Sequence, residues 1–336
     1  MWRCSNLLLS LALWVVLSGL AGASQGAELP YSGRVLLTPD QRHGVSWQNQ
    51  ELVLWSRQSR KPLKTLRFDA PVYQVELSYN ARFLVAGFSD GVYRRWAFPS
   101  LKPAGVLRLA KQESVQWPFA LSPDGVYLTR TVFAQTRQQD VMRLEVWDWR
   151  QGRQVGRLWA HQQPLQLPGH YPGSQLAFHP LGGYLSFATE GGQLKVYDTR
   201  QHRWVYQMPG SPPMDYARAG DYFVFAVPQA QSTDIRQLKL WHLPTNLLKT
   251  VAVDAMSATE SALALSDSGR FLAYTERAHG RQRKLVVRRV ADGKVLLSKQ
   301  IPEEVDALSI TPEENAVLTS SLLRPEYRPL FYAFHD

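Results

Sequence analysis

The stretch from Leu121 to His161 contains four short strand-like runs in about forty residues. It opens with an apolar run and a Ser-Pro-Asp-Gly turn, and it closes with two β-rich runs on either side of a glycine-containing turn. Similar units recur along the chain. One such unit is too small to bury its own apolar faces, so neighbouring units have to pack on one another. The sequence is therefore restricted to a repeat architecture.

Two markers place seven units, at residues 34–68, 72–109, 115–160, 174–209, 214–253, 260–301 and 305–336. The residues that open the first turn are Thr38, Ser78, Ser122, His179, Arg218, Ser266 and Thr311. The residues that end the third strand are Trp55, Trp96, Trp147, Tyr197, Trp241, Arg288 and Phe334. Four-stranded units at this spacing are typical of propeller blades. The sequence predicts an all-β, single-domain, seven-bladed β-propeller of four-stranded antiparallel blades.

The third strands and their turns, LEVWDWRQGRQVGRL and LKVYDTRQHRWVYQM, together with LSPDGVYL and FSDGVYRRW, resemble the WD-repeat propeller family. The resemblance covers essentially the whole chain after residue 23. Only Trp147-Asp148 keeps the dipeptide that names the family, and Tyr197-Asp198 is close to it. The Gly-His pair of the family is absent, with Ala160-His161 as the nearest match, so most of the family's internal side-chain network is missing.

The seventh unit stops after three strands. The resemblance implies that another segment supplies its outermost strand, and we expect this segment to be residues 24–33. Pro30 is tolerated there because an outermost strand is a sheet edge.

The N-terminus has the pattern of a secretory signal. One positive charge in MWRCSN precedes the apolar run LLLSLALWVVLSGL and the small residues of AGASQGA, so we expect cleavage after Ala23. An uncleaved membrane anchor is the alternative. Cys4 is the only cysteine, and its removal leaves a chain without disulfides, thiolate chemistry or cysteine-bound metals. These features predict a periplasmic or secreted protein, of bacterial type.

The chain without its first 23 residues has 37 basic and 28 acidic residues, a net charge of +9. This surplus favours an anionic partner such as an acidic protein, an acidic polymer or a phosphate-bearing lipid. Nucleic acid is not expected outside the cytoplasm.

Motifs for catalysis and for metal binding are not found in the sequence. The eight histidines are scattered, and no GxSxG elbow or glycine-rich phosphate loop is present. Asp40, Asp124 and Asp267 are interpreted as turn residues that accept hydrogen bonds from their own backbone. We therefore predict no cofactor, no metal and no catalytic residue.

An alternative places an enzyme site at the mouth of the central channel, of a lactonase-like or quinone-dependent kind. Asp215, Glu260 and Asp306 lie near the starts of three successive first strands, and the innermost strands of a propeller line its channel. These carboxylates would bind a cation or act as bases.

The segments between the second and third strands are long in the third, fifth, sixth and seventh units. They contain nine basic residues: Arg137, Arg143, Arg236, Arg277, Arg281, Arg283, Lys284, Arg324 and Arg328. Only four acidic residues accompany them: Asp140, Asp234, Glu276 and Glu326. In a propeller such segments open on one face, so the leading hypothesis is a non-catalytic envelope scaffold that presents a basic face to an anionic or protein partner.

Aromatic residues are interpreted by their positions. Those that end third strands recur once per unit, which is what packing between blades requires. Trp117, Tyr171 and Tyr216 fall in predicted loops and are expected to contact a partner.

Removal of the expected closing segment tests ring closure. A chain that begins at Arg34 should melt at a lower temperature than one that begins at Ser24, because the seventh blade loses its outermost strand. Thermal unfolding followed by circular dichroism measures the difference. Equal melting temperatures would exclude closure by this segment.

Overall fold

A computed structural model describes residues 32–108, 119–135, 139–164, 175–188, 192–229, 232–257, 262–277, 283–321 and 327–336. Within these ranges the chain forms 27 β-strands and no helix. The strands pair in sequence order into seven antiparallel sheets, six of four strands and one of three. The predicted all-β propeller with seven blades is confirmed.

The first three blades span residues 34–164. Blade 1 consists of β1 (Arg34–Leu37), β2 (His43–Gln48), β3 (Glu51–Ser56) and β4 (Pro62–Arg67). Blade 2 consists of β5 (Val72–Leu77), β6 (Phe83–Phe88), β7 (Val92–Ala97) and β8 (Lys102–Arg108). Blade 3 consists of β9 (Phe119–Leu121), β10 (Tyr127–Gln135), β11 (Gln139–Asp148) and β12 (Arg153–Pro164).

The remaining blades span residues 175–333. Blade 4 consists of β13 (Gln175–Phe178), β14 (Tyr184–Ala188), β15 (Gln193–Asp198) and β16 (Arg203–Pro209). Blade 5 consists of β17 (Ser211–Tyr216), β18 (Tyr222–Gln229), β19 (Ser232–His242) and β20 (Leu247–Ser257). Blade 6 consists of β21 (Leu263–Leu265), β22 (Phe271–Arg277), β23 (Arg283–Arg289) and β24 (Val295–Ile301). Blade 7 consists of β25 (Ala307–Ile310), β26 (Ala316–Ser320) and β27 (Leu330–Ala333).

The core of the molecule lies between the blades. In the described part of the chain, seven apolar clusters occupy the seven interfaces, including the one between blade 7 and blade 1. In that last cluster Val53 and Trp55 of blade 1 pack with Leu318 and Phe331 of blade 7. The innermost strands β25 and β1 also contact each other, so the ring is closed at this point.

We call the face that carries the turns between first and second strands and between third and fourth strands the turn face. Hydrogen bonds join turns of different blades there: Arg57 of blade 1 pairs with Glu313 of blade 7, and Ser268 of blade 6 donates to Glu314. We call the opposite face, with the second-to-third-strand connections, the loop face. Each blade therefore exposes its first-to-second-strand and third-to-fourth-strand turns on one side and its second-to-third-strand connection on the other.

Two repeat markers have to be corrected. The turn of blade 5 is opened by Ala217 and not Arg218, since the Ala217 amide donates to the Tyr222 carbonyl as the Ser78 amide does to Phe83. The third-strand position of blade 7 is Tyr332, which pairs with Val317, and Phe334 follows the strand. Both residues were misplaced because their positions in the repeat were predicted from side-chain type. Backbone hydrogen bonds define these positions, and they form at an alanine as well as at a polar residue.

Two predicted segments lie wholly or mostly outside the described residues. They are the signal segment 1–23 and the closing segment 24–33, of which only residues 32 and 33 are described. Both stay predictions.

A charged pair is buried at the interface between blades 2 and 3. The Arg130 guanidinium lies 2.7 Å from a carboxylate oxygen of Glu145, and each side chain is 2% exposed. The indole N–H of Trp147 donates to the same oxygen at 3.2 Å. Nearby, the Tyr73 hydroxyl donates to the Tyr93 hydroxyl of blade 2. The Arg130–Glu145 pair is removed from water, so neither charge can be solvated instead. The pair therefore fixes the orientation of β10 relative to β11.

Loss of one partner should destabilise the protein more than loss of both. Arg130→Met leaves the Glu145 carboxylate buried without its cation and should lower the free energy of unfolding by about 3–5 kcal/mol. The double variant Arg130→Met/Glu145→Leu should recover most of this loss. Urea denaturation of the three proteins gives the comparison, and a double variant as unstable as the single one would contradict the charge-pair explanation.

Candidate functional site

The innermost strands of blades 1 to 5 enclose a central cavity of about 210 Å³. Glu76 on β5 and Asp215 on β17 face it from equivalent positions, since each pairs with the third residue of the next strand, Val85 and Val224 respectively. The equivalent residues of the other blades are Leu36, Ala120, Ala177, Ala264 and Ser309. This layer of the channel therefore holds two carboxyl groups among small and apolar residues.

The polar side chains of the channel connect adjacent innermost strands. Gln74 of β5 exchanges two hydrogen bonds with the backbone of Phe119 in β9. Asp215 of β17 accepts from the Leu265 amide of β21 at 2.8 Å. Neighbouring innermost strands belong to different sheets, so these side chains satisfy backbone groups that no ladder reaches. Glu76 in turn accepts from the Gln74 amide at 2.9 Å.

Both carboxyl groups are easier to protonate than usual. Burial raises the pKa of Glu76 to about 7; the hydrogen bond from Gln74 opposes this shift, and the Asp215 charge adds to it. Burial likewise raises the pKa of Asp215 to about 7, against the hydrogen bonds from the Leu265 and Tyr216 amides. Near neutral pH this layer therefore exists as a mixture of charged and neutral forms.

Arg218 spans the turn-face mouth of the channel. Its guanidinium donates to the Tyr79 carbonyl of blade 2 at 2.6 Å and lies 5.2 Å from the centre of the Tyr79 ring. Its Nε atom is 3.7 Å from a carboxylate oxygen of Asp267 in blade 6. Arg218 itself belongs to blade 5, so one side chain connects three blades across the ring and covers the carboxyl layer.

The predicted channel carboxylates separate into three cases. Asp215 faces the cavity. Asp306 precedes β25, at the loop-face end of the channel, where it lies 3.4 Å from Arg34 and accepts from the Ser321 hydroxyl at 3.0 Å. Glu260 lies outside the described residues. The partner of Asp215 in this layer is Glu76, which the sequence reasoning missed although alignment of VYQVEL with the fifth unit would have placed it there.

The long basic segments are largely strand rather than loop. The ladder of β10 and β11 continues to Gln135 and Asp140, and that of β18 and β19 to Gln229 and Ser232. The hairpin of blade 6 continues to the pair Arg277 and Arg283. Each strand continues beyond the apolar core because the backbone groups of its polar residues still form hydrogen bonds with the neighbouring strand. Blades 3 and 5 thus extend past the shorter blade 4 on the loop face.

The predicted partner-binding residues are distributed as follows. Arg143, Arg236, Arg277, Arg283 and Lys284 lie in the extended hairpins, and Arg328 precedes β27. Trp117, Arg137, Tyr171, Arg281 and Arg324 lie outside the described residues.

Several of these side chains have structural partners. Arg283 donates to the Val305 carbonyl at the start of blade 7, and Lys284 lies 3.6 Å from Glu276 across the hairpin. Tyr216 is buried in β17, stacks on Phe223 and hydrogen-bonds with Ser186, so its prediction as a loop residue is wrong. It looked like a loop residue because prolines precede it in the sequence.

The turn aspartates follow the prediction in two cases of three. Asp40 and Asp124 accept hydrogen bonds from backbone amides two residues further on. Asp267 instead approaches Arg218. In the described ranges no group of three or more His, Cys, Asp or Glu side chains is arranged to hold a metal ion.

Comparisons with known proteins agree on the fold. No protein-family model matches the chain, and no similar sequence is found among curated proteins. Among solved structures, the β-propeller domain of Cps50 (Swd1) from Myceliophteria thermophila is similar with a TM-score of 0.68 and 13% identity, over 92% of this chain and 98% of that one. At this identity the likeness shows the fold alone. The chain is a seven-bladed β-propeller.

The raised pKa of Glu76 makes stability depend on pH. The folded chain holds the Glu76 proton more tightly than the unfolded chain, so this residue's contribution to the free energy of unfolding falls as pH rises from about 4.5 to about 7. Glu76→Gln removes the contribution. Between pH 4.5 and pH 8, the free energy of unfolding of the variant should therefore rise relative to that of the parent by on the order of 1 kcal/mol or more.

Urea denaturation at several pH values measures this gain, with exposed Asp69→Asn as the control. Parallel pH profiles of the parent and Glu76→Gln would show that the Glu76 carboxyl is not held in its neutral form.

Proposed function

We propose that the protein is a non-catalytic interaction scaffold of the cell envelope whose loop face binds an anionic partner, in the first place a protein. The observation that carries the proposal is the extension of the hairpins in blades 3 and 5. Strands β10 and β11 have nine and ten residues and β18 and β19 have eight and eleven, against six in β2 and β3. Strands that project beyond the core contribute little to it, so their length suits a surface that another molecule contacts.

The outermost strands extend in the same direction. Strand β12 pairs with β11 as far as Pro164, and β20 pairs with β19 as far as Ser257. Blades 3 and 5 therefore carry three-stranded projections on either side of blade 4, whose longest strand has seven residues. Blade 4 together with the two projections beside it offers a partner contacts from three blades.

Charge gives this surface its selectivity. Arg143 and Arg236 lie in the projecting strands, and Arg277 pairs with Arg283 at the end of the described hairpin of blade 6. Positive side chains gathered on one face increase the rate of association with an anionic partner and orient it. Export of the chain by its N-terminal segment would place this face in the envelope.

The channel supports the enzymatic alternative less well. Asp215 and Gln74 use their polar atoms to join innermost strands, and Arg218 covers the turn-face mouth. A structural role therefore accounts for these groups. Calorimetric titration with calcium and other divalent cations tests the remaining metal-dependent form of this alternative.

Charge reversal on the loop face should weaken partner binding. The triple variant Arg236→Glu/Arg277→Glu/Arg281→Glu should weaken binding by roughly tenfold or more and flatten its dependence on salt. Arg60→Glu/Lys61→Glu/Lys102→Glu, on the turn face, changes the net charge equally and is the matched control.

The measurement is affinity capture from an envelope extract at low and moderate salt, followed by titration of the captured protein. A partner retained by the parent and the control but lost by the triple variant is the expected result. Equal retention by all three proteins, or retention of nothing, would count against the loop face as the binding surface.

A further inference from the structure

The turn face carries a second basic surface, on four consecutive blades. The turns between third and fourth strands of blades 1 to 4, with the residues that flank them, contain eight basic residues: Arg57, Arg60, Lys61, Lys102, Arg150, Arg153, Arg200 and Arg203. All of them except Arg57 are exposed. The corresponding turn of blade 5, from Leu243 to Asn246, contains no charged residue. We call this set of basic residues the turn-face arc.

The acidic residues within these segments are not exposed beside the basic ones. They are Asp148 and Asp198, and both are buried. The Asp148 carboxylate accepts from the amides of Arg150 and Gln151, and the Asp198 carboxylate accepts from the amides of Arg200 and Gln201. Each aspartate therefore holds its turn through backbone amides. The Arg150 guanidinium also lies 3.5 Å from an Asp148 carboxylate oxygen, but the Arg150 side chain is still 64% exposed.

Blades 3 and 4 present their arginines in the same way. Arg153 donates through Nε to the Gln151 side chain at 2.6 Å, and Arg203 donates through Nε to Gln201 at 2.7 Å. A contact through Nε orients the guanidinium and leaves its two terminal nitrogens directed outward, where they can bind phosphate oxygens. The sequence D-x-R-Q-x-R occurs at residues 148–153 and 198–203, and in both blades it positions a pair of arginines on the turn face.

Exposed leucines accompany the arc. Among the described residues, the three most exposed large apolar side chains are Leu181 at 68%, Leu247 at 60% and Leu63 at 55%. Leu181 lies in the first turn of blade 4, Leu247 begins β20 and Leu63 is the second residue of β4, so all three are at the turn face. The Arg200 side chain passes beside Gly183, two residues from Leu181.

We propose that the turn face binds an anionic lipid surface, with the turn-face arc contacting the phosphates and the leucines entering the headgroup boundary. Basic residues spread along the rim of four blades cannot converge on one small ligand, but they match a flat array of negative charges. Protruding leucines gain free energy by leaving water for the acyl boundary. A soluble polyanion offers nothing for these leucines to enter.

This inference goes beyond the proposed function and does not depend on it. Binding of lipid through the turn face would direct the loop face away from the bilayer, where a protein partner can reach it.

Cosedimentation with vesicles tests the proposal, using a chain that begins at Ser24. That chain keeps every blade and lacks the apolar N-terminal segment, which would itself insert into lipid. Vesicles of phosphatidylcholine alone and of phosphatidylcholine mixed with phosphatidylglycerol are compared, and soluble polyphosphate is the non-lipid polyanion. We expect binding to the mixed vesicles and little binding to phosphatidylcholine.

Two variants separate the charge from the apolar contribution. Arg150→Gln/Arg153→Gln/Arg200→Gln/Arg203→Gln should weaken binding to mixed vesicles by roughly tenfold or more. Leu181→Ser/Leu247→Ser should weaken it several-fold while leaving polyphosphate binding unchanged. Arg67→Gln/Arg108→Gln, which removes exposed charges at the loop-face ends of β4 and β8, is the control and should bind like the parent. Melting temperatures check that every variant folds.

Three results would overturn the proposal. One is absence of binding to mixed vesicles, and another is a quadruple arginine variant that binds like the parent. The third is a leucine variant that binds mixed vesicles as well as the parent does, since the partner would then be a soluble polyanion. None of these outcomes concerns the loop face, so the proposed function is tested independently by the capture experiment.

Discussion

Each blade is a small sheet with two faces, and both of its faces must be buried against other blades. An isolated sheet of this size would leave its apolar side chains in water, at roughly 25 cal/mol for each Å² exposed. The seven apolar clusters sit one at each interface, so every blade depends on both neighbours. The cluster between blade 7 and blade 1 turns a row of sheets into a closed ring.

Polar contacts specify how the blades sit on one another. The buried pair of Arg130 and Glu145 joins two strands of blade 3, and Arg130 also hydrogen-bonds with Tyr93 of blade 2. Arg57 with Glu313 joins the first blade to the last. In the channel, Gln74 and Asp215 bind backbone groups that adjacent innermost strands cannot give each other. Such contacts have limited freedom to rearrange, because a buried polar group without its partner is costly. Gln74 and Asp215 are therefore part of the framework that joins the blades.

A closed ring of this kind leaves two separate surfaces for function. On the loop face, blades 3 and 5 project on either side of blade 4, and on the turn face basic residues follow the rim of four blades. The core constrains neither surface closely, because the hairpins and turns lie beyond the interfaces. The net positive charge of the chain is thus shared between two faces, whereas the sequence reasoning had assigned most of it to the loop face.

The sequence by itself determined the number of blades, their order and the residues that fill the interfaces. Alternating apolar residues and turn signals act locally, so Trp55 or the Ser122 turn can be identified without knowledge of the rest of the chain. The exact position of a residue within its blade was predicted less accurately, as Ala217 and Tyr332 show. Backbone hydrogen bonds set these positions, and side-chain type indicates them only indirectly.

Only the tertiary structure decided which distant residues meet. Glu76 and Asp215 belong to blades 2 and 5, and Arg218 reaches Tyr79 across the channel. No local pattern encodes these neighbours, because closure of the ring brings together residues that the sequence separates by 139 positions.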